Sequence, residues 1–183
     1  MKRHQRLIDE TSLPGASERA RQFEAASARL RDAGYATIGI DHFALPEDSL
    51  AIALREGRLH RNFQGYTTDA ASTLVGLGAS AIGSLPQGYV QNAMQMPRYR
   101  EAIGSGRLAT VRGVAVSEDD RLRRAIIERL MCDFAVDLNG AAGRLAAEIE
   151  ALAPFEADGL VTIENRVIRV EPEGRPLVRA VCA

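Results

Sequence analysis

Tryptophan is absent from this chain of 183 residues, and only 5% of its residues are aromatic. Cysteine is nearly as scarce, with Cys132 and Cys182 far apart and in no C-x-x-C motif. Two such residues cannot form the disulfide framework of a small secreted protein. Zinc and iron–sulfur sites need three or four thiolate or imidazole ligands, so we expect no metal site built from this chain alone.

An excess of charge of one sign and a long apolar run are also missing. The chain has 23 Lys and Arg against 24 Asp and Glu, a formal net charge of −1 and a pI near 6.3. Nucleic-acid and anionic-membrane partners usually require a basic surplus, so we expect neither. Without a bilayer-spanning run or a signal-peptide pattern, the sequence predicts a cytoplasmic protein. The hydrophobic fraction of 46% suffices for one domain or two small ones.

The first third predicts a helix followed by a buried strand. Residues 17–33 have apolar residues at helical spacing, Ser17 is a candidate N-cap, and Gly34 is placed to end the helix. Residues 35–40 then read as a short strand. Helix, glycine and buried strand in this order are typical of an α/β barrel or a doubly wound sheet.

Asp41 and His42 follow this strand, where α/β folds place their chemistry. They could be an acid–base pair or half of a metal site. Neighbouring residues of an extended chain point to opposite faces, however. We therefore favour a structural role in which His42 is hydrogen bonded to the backbone.

Two later segments are rich in specific local features. Residues 60–68 carry Arg61, which can bind a carboxylate, and Gln64, whose amide can donate and accept, although a solvated loop explains them equally well. Residues 74–85 contain three glycines without the dinucleotide-binding spacing, which predicts a tightly packed strand between helices.

The last third changes character after a soft boundary near residues 110–117. Ser117 and Asp120 predict a capping box for a helix whose arginines alternate with acids, as on an ion-paired solvated face. A second helix capped by Asn139 and stopped by Pro154, a hairpin over residues 160–170 and a last helix over 173–181 complete a winged-helix-like order.

Several motifs together resemble the bacterial oxygen-independent coproporphyrinogen III oxidase (dehydrogenase) family. The most specific is His-Arg-Asn-Phe-Gln-Gly-Tyr-Thr-Thr at residues 60–68. Gly-Ile-Asp-His-Phe-Ala at 39–44, Gly-Ala-Ser-Ala-Ile at 78–82, a linker at 107–114 and the Asp-Gly-Leu-Val corner at 158–161 agree with it. The resemblance covers nearly the whole chain and implies the carboxy-terminal half of such an enzyme.

This resemblance implies a mixed α+β fold in two parts. Residues 1–112 would be the last helix–strand unit of a partial TIM-type barrel with its following extension. Residues 113–183 would be a mostly helical, winged-helix-like carboxy-terminal domain. The opening residues Arg3–Ile8 resemble the interior of the family's barrel.

The resemblance also implies a radical reaction of heme biosynthesis. Such an enzyme converts coproporphyrinogen III to protoporphyrinogen IX by decarboxylating two propionates to vinyl groups. A 4Fe–4S cluster on three cysteines cleaves S-adenosylmethionine, and the resulting deoxyadenosyl radical attacks the propionate. The electron donor and acceptor are not specified by the sequence.

Motif alignment assigns contacts of a second S-adenosylmethionine to Gln64 and Ile82. Arg61 is the candidate for binding a substrate carboxylate, and no catalytic residue or metal ligand is expected in this half. The family's C-x-x-x-C-x-x-C motif is not in the sequence, so we expect the chain alone to lack the cluster and to be inactive without the amino-terminal half. Apolar surface left uncovered, particularly around residues 35–40, is expected to favour a non-native dimer.

Two alternatives remain from the sequence. A heme chaperone of the same superfamily would bind heme without decarboxylation, although the 60–68 block resembles the oxidase branch. A winged-helix interaction module would explain the last third alone, although the mixed charges of its first helix argue against DNA.

Overall fold

A computed structural model describes residues 7–183, and residues 3–6 of the predicted barrel-like start lie outside them. The first part of the chain holds short strands and three helices. Its elements are α1 (Ala16–Asp32), β1 (Ala36–Ile38), β2 (His42–Ala44), α2 (Ser49–Arg55), β3 (His60–Arg61), β4 (Tyr66–Thr67), β5 (Ile82–Leu85), β6 (Gly88–Asn92), α3 (Met96–Gly104) and β7 (Thr110–Ala115).

The rest of the chain begins with the longest helix of this part. Its elements are α4 (Glu118–Asp133), β8 (Ala135–Asp137), α5 (Ala146–Ala151), α6 (Ala153–Ala157), β9 (Val161–Glu164), β10 (Val167–Val170) and α7 (Val178–Val181). Short 3₁₀ segments precede α1, α5 and α7. None of these helices, within residues 7–183, is long and apolar enough to cross a bilayer.

Four small antiparallel sheets confirm the mixed α and β class. The strands pair as β1–β2, as β3–β4, in the order β5–β6–β7 and in the order β8–β10–β9. The strand predicted at residues 35–40 therefore forms a hairpin with the chain that follows it. The segment at 107–114, predicted as a linker, instead supplies most of β7 at the edge of the β5–β6–β7 sheet.

Two apolar clusters form the core. One lies within the last third, where Leu130 of α4 packs with Val161, Ile168 and Val178 of the closing sheet and helix. The other contains Ile38, Leu59 and Tyr66 and reaches Cys132 of α4. Helix α4 thus contributes to both clusters. It therefore joins the short hairpins of the first part to the last third of the chain.

Helix α1 differs from the sequence prediction at its start and on its surface. Gly15 is the N-cap and makes no side-chain cap hydrogen bond, so Ser17 lies inside the helix. The predicted apolar stripe is largely exposed, with Phe23 at 42%. By contrast, Ile38 of the predicted exposed strand is 0% exposed. Exposed apolar side chains are therefore found on α1 and in other segments, such as Leu77 at 86% and Leu108 at 87%, while Ile38 of the predicted exposed strand is buried.

The last third confirms the capping box and corrects the second helix. Ser117 and Asp120 cap α4 reciprocally. Asn139 donates to the Asp137 carboxylate and does not cap a helix. Pro154 lies in the first turn of α6, because proline fits a position whose N–H has no partner within the helix.

The closing hairpin turns at Asn165 and Arg166, both with positive φ. Two left-handed residues are what a two-residue hairpin turn requires. Strand β8, which the sequence analysis missed, pairs with β10 and completes this sheet.

Candidate functional site

The β3–β4 hairpin carries most of the predicted site. Its turn is tied by Asn62, whose N–H donates to the Gly65 carbonyl at 3.0 Å and whose Oδ1 accepts from the Gln64 N–H at 2.8 Å. Gly65 has φ +145°, and a Cβ there would lie 3.0 Å from His42 Nε2. The turn therefore requires glycine and holds Gln64 at an exposed tip.

Helix α4 anchors this hairpin through one carboxylate. Glu128 Oε1 lies 2.9 Å from His60 Nδ1 and accepts from the Arg61 N–H at 3.3 Å. Arg129 adds a hydrogen bond of 2.8 Å to the Leu59 carbonyl. The position of the polar loop is thus set by a helix that follows it by more than fifty residues.

Tyr66 fixes the same hairpin from its buried face. Its hydroxyl donates to the Met131 carbonyl at 2.9 Å and accepts from the Ile40 N–H at 3.2 Å. A Cβ at Gly39 would overlap the tyrosine ring. Burial raises the pKa of Tyr66 above its ordinary value, so the hydroxyl remains a donor at neutral pH.

Arg61 lies on this buried face as well. Arg61 and Tyr66 are cross-strand partners, and the guanidinium carbon lies 5.5 Å from the centroid of the tyrosine ring. Its Nε is buried and has no hydrogen-bond partner among the described residues. A buried unpaired donor costs roughly 1–3 kcal/mol. The predicted substrate-binding residue therefore stacks on Tyr66 and retains an unused donor.

Asp41 and His42 are brought together by the turn between β1 and β2. His42 Nδ1 lies 2.7 Å from Asp41 Oδ1, and the imidazole packs edge-on against Tyr66 at 5.1 Å between ring centroids. The predicted backbone bond of His42 is therefore replaced by a carboxylate partner. Within residues 7–183 no three His, Cys, Asp or Glu side chains come together as metal ligands.

Ile82 opens β5 and is half-buried. A Cβ at Gly76 would come within 2.9 Å of the Ile82 backbone, and one at Gly83 within 3.0 Å of the Leu74 carbonyl oxygen. Close packing is thus confirmed for these two glycines, whereas a Cβ at Gly78 would meet nothing within 4 Å. The surroundings were predicted incorrectly, because β5 pairs antiparallel with β6 and does not lie between helices. The ring centroids of Phe63, next to Gln64, and Tyr89 of β6 lie 5.2 Å apart. This contact brings the tip of the hairpin against the sheet that carries Ile82.

A cleft of about 540 Å³ opens between the hairpin, this sheet and α4. Four of its lining residues were not predicted as site residues from the sequence: Phe63, Tyr89, Arg124 and Glu128. They were missed because they come from three separate parts of the chain, the β3–β4 turn, β6 and α4. Its remaining lining residues are His60, Arg61, Asn62, Thr67, Asp69, Ala70, Ala71, Ser72, Leu74, Ser84, Ile127 and Met131.

The arginines of α4 confirm the predicted ion-paired face with two exceptions, Arg121, which donates to the Pro86 carbonyl at 3.1 Å, and Arg124. Arg123 pairs with Asp119 at 2.7 Å and with Glu148 at 2.6 Å. The hydrogen bond from Arg123 lowers the pKa of the Asp119 carboxyl below its ordinary value. Arg129 likewise pairs with Asp133. Arg124 makes no such pair among the described residues.

The cysteines do not fit an iron–sulfur cluster. The whole sequence holds two, where the family's motif needs three. Cys132 is 0% exposed in the core. Burial raises the pKa of both thiols to about 11, which disfavours the thiolate that would bind iron.

Comparisons with known proteins identify relatives of the whole chain and a family model for its last third. Residues 116–177 match the HemN C-terminal domain. The chain is 49% identical over 189 residues to the oxygen-independent coproporphyrinogen III oxidase of Bradyrhizobium diazoefficiens, covering 100% of this chain and 42% of that protein. It is 39% identical over 186 residues to the Escherichia coli protein of the same name, covering 97% and 41%.

A solved structure gives the same result in three dimensions. It is described as coproporphyrinogen III oxidase (HemN) from Escherichia coli, a radical SAM enzyme, and matches with a TM-score of 0.89 at 39% identity. The match covers 97% of this chain and 43% of that one, so the chain spans about two fifths of the relatives' length. The resemblance predicted from the sequence is confirmed: over nearly all of its length the chain is similar to the carboxy-terminal part of oxygen-independent coproporphyrinogen III oxidases.

Proposed function

We propose that this chain forms the carboxy-terminal part of an enzyme that converts coproporphyrinogen III to protoporphyrinogen IX. The observation that carries the proposal is the similarity of the whole chain to oxidases of this name, at up to 49% identity. Two propionates are decarboxylated to vinyl groups in the proposed reaction. The required radical chemistry is supplied by S-adenosylmethionine and a 4Fe–4S cluster held outside this chain.

In this proposal the chain binds and orients ligands. Gln64 and Ile82 contact a second S-adenosylmethionine. The exposed tip position of Gln64 leaves its carboxamide without a hydrogen bond among the described residues, and Phe63 places the tip against the sheet of Ile82. Substituting Gln64 with Ala in the full-length enzyme should raise the KM for S-adenosylmethionine. An unchanged KM would remove Gln64 from the site.

Arg61 remains the proposed partner of a substrate carboxylate. Support comes from its place in the lining of the cleft, where a guanidinium can bind a carboxylate. Its stacking on Tyr66 holds the side chain on the inner face of the hairpin. If Arg61→Ala in the full-length enzyme leaves the KM for coproporphyrinogen III unchanged, this assignment is wrong.

The finer architecture is part of the proposal. Residues 1–112 would extend a partial TIM-type barrel, and residues 113–183 would be a winged-helix-like domain. The order α4, β8, α5, α6, β9, β10 supports the second assignment, and the family match from residue 116 supports a boundary in this region. Protease cleavage confined to residues 106–117 would support the boundary, and cleavage elsewhere would move it.

The partners and location follow the same proposal. The amino-terminal half of the enzyme would cover the exposed face of α1, where Phe23 is 42% exposed. Without that half we expect a non-native dimer and no turnover, and we place the enzyme in the cytoplasm. A strictly monomeric elution profile at high concentration would contradict the dimer.

The decisive experiment is an anaerobic assay of the full-length enzyme, reconstituted with iron and sulfide. It receives S-adenosylmethionine, a reductant and coproporphyrinogen III, with this chain alone as the control. Protoporphyrinogen IX formed by the full-length enzyme and not by the chain supports the proposal. Stoichiometric heme binding without product would favour the heme chaperone.

A further inference from the structure

Arg124, like Arg121 on the same helix, pairs with no carboxylate among the described residues, and of these two only Arg124 lines the cleft. Its one hydrogen bond is a long one of 3.4 Å from Nη1 to Ser84 Oγ. A guanidinium has five N–H donors, so most of its donors remain available. Arg124 is exposed, lines the cleft and lies 5.6 Å from the centroid of the Tyr89 ring.

The wall beside this cation is aromatic and apolar. Tyr89 lies between Arg124 and Phe63, and Phe63 is 54% exposed. Leu74, Ile127 and Met131 extend the apolar lining. An exposed phenylalanine beside a stacked tyrosine offers a surface on which a flat apolar ring can pack.

The acidic groups of the cleft are already occupied. Glu128 accepts from His60 and from the Arg61 N–H. Asp69 accepts from the Ala71 N–H at 2.8 Å within its own loop. Two arginines line the cleft, and because Arg61 is stacked on Tyr66, the guanidinium of Arg124 is the one next to the apolar wall, a combination that suits a carboxylate carried on an apolar ring.

We propose that this cleft binds a propionate-bearing pyrrole ring of the tetrapyrrole substrate, with Arg124 as the carboxylate partner and Phe63 and Tyr89 as the ring-packing wall. The identity of the ligand rests on the proposed function. A volume of about 540 Å³ lies within the range of small-molecule sites, although the cleft is open to one side. The amino acid carboxylate of S-adenosylmethionine has the same chemistry, and the experiment separates the two sources.

The probe is coproporphyrin III, the stable oxidised form of the substrate, titrated into this chain and followed by its fluorescence. Arg124→Gln should raise the Kd about tenfold, because one charge-assisted contact is lost. Arg124→Lys should have a smaller effect, since it keeps the charge without the planar fork. Arg100→Gln is the matched control, because Arg100 is exposed on α3 and outside the cleft.

A change of ligand gives the same test without a mutation. The tetramethyl ester of coproporphyrin III has no carboxylates, so the wild-type chain should prefer the acid about tenfold. Arg124→Gln should reduce this preference sharply. Phe63→Ser should instead weaken acid and ester alike, because it removes packing and no charge.

Three results would overturn the proposal. They are equal affinity of wild type and Arg124→Gln for coproporphyrin III, equal affinity of the wild type for acid and ester, and Arg124-dependent binding of S-adenosylmethionine in place of the porphyrin. Circular dichroism melting of each variant checks that folding is retained. The turnover assay of the full-length enzyme is separate, so either proposal can fail while the other stands.

Discussion

His60 Nδ1 and Glu128 Oε1 lie 2.9 Å apart although the residues are 68 positions apart in the sequence. The pair joins the β3–β4 hairpin to the first helix of the HemN C-terminal domain, and both side chains are partly shielded from solvent. The same oxygen accepts from the Arg61 N–H. The hairpin that carries Gln64 is therefore positioned by a residue of the carboxy-terminal domain.

The strength of this link can be measured with a double-mutant cycle. Replacing His60 and Glu128 with alanine, singly and together, should give a coupling energy of roughly 0.5–1.5 kcal/mol, as for a partly buried hydrogen bond. Urea denaturation of the four proteins measures it. The pair Glu18 and Arg21 on α1 is the control, since its more exposed charges should couple by less than about 0.5 kcal/mol. Equal coupling in the two pairs would contradict the anchoring role.

Tyr66→Phe should lower the free energy of unfolding by about 1–3 kcal/mol, because the Met131 carbonyl and the Ile40 N–H each lose a partner. Equilibrium denaturation gives the value. Tyr35→Phe is the matched control, since the hydroxyl of Tyr35 has no hydrogen bond among residues 7–183 and its loss should change stability by less than about 0.5 kcal/mol. An unchanged free energy of unfolding in Tyr66→Phe would show that water replaces the hydroxyl for both the Met131 carbonyl and the Ile40 N–H.

Gly174 and Gly143 should respond oppositely to alanine. A Cβ at Gly174 would overlap the Leu160 carbonyl oxygen, which cannot move without disturbing the start of β9. Gly174→Ala should therefore destabilise by roughly 1–3 kcal/mol or more. A Cβ at Gly143 would have no neighbour within 4 Å, so alanine there should be neutral or stabilise by up to about 1 kcal/mol. Thermal melts of both variants test the contrast, and a similar shift in both would refute it.

The thiols should react slowly in the folded chain. Burial raises the pKa of Cys132 and Cys182 to about 11, against about 8.5 for an unfolded cysteine. The thiolate is the reactive form, so the rate of labelling by iodoacetamide should follow the thiolate fraction. In the native chain this rate should keep rising as the pH approaches 11, whereas in urea it should level off once the pH exceeds about 8.5. Cys132 should be the slower of the two, since it is 0% exposed. Full labelling of native Cys132 within minutes at pH 8 would contradict its burial.

The same shift predicts how stability depends on pH. The folded pKa lies above the unfolded one, so between about pH 8.5 and 11 the native state holds more protons than the unfolded state. The free energy of unfolding should therefore be greatest below this window and fall as pH rises through it. Cys132→Ala should make the free energy of unfolding fall less steeply with pH. It should also lower that free energy at pH 7, because it removes a buried side-chain atom. Denaturation curves at pH 7, 9 and 10.5 would show both effects, and an identical slope in the variant would exclude Cys132 as their source.

The sequence by itself determined the local elements and the family. The capping box at Ser117 and the closing hairpin with its turn at Asn165 follow from side chains and backbone preferences that act within a few residues. The block at 60–68 was specific enough to indicate the oxidase family, which the comparisons confirmed.

Tertiary structure alone decided which residues meet. The pairing of β1 with β2, the stacking of Arg61 on Tyr66 and the link from His60 to Glu128 depend on contacts between segments that no local preference specifies. The cleft beside Arg124 arises in the same way, because it is bounded by a hairpin, a sheet and a helix. The pairs of Arg123 with Asp119 and of Arg129 with Asp133 join residues four apart on α4, so their spacing alone indicates them. The second partner of Arg123, Glu148, and the place of Arg124 in the cleft depend on packing between segments that are remote in the chain.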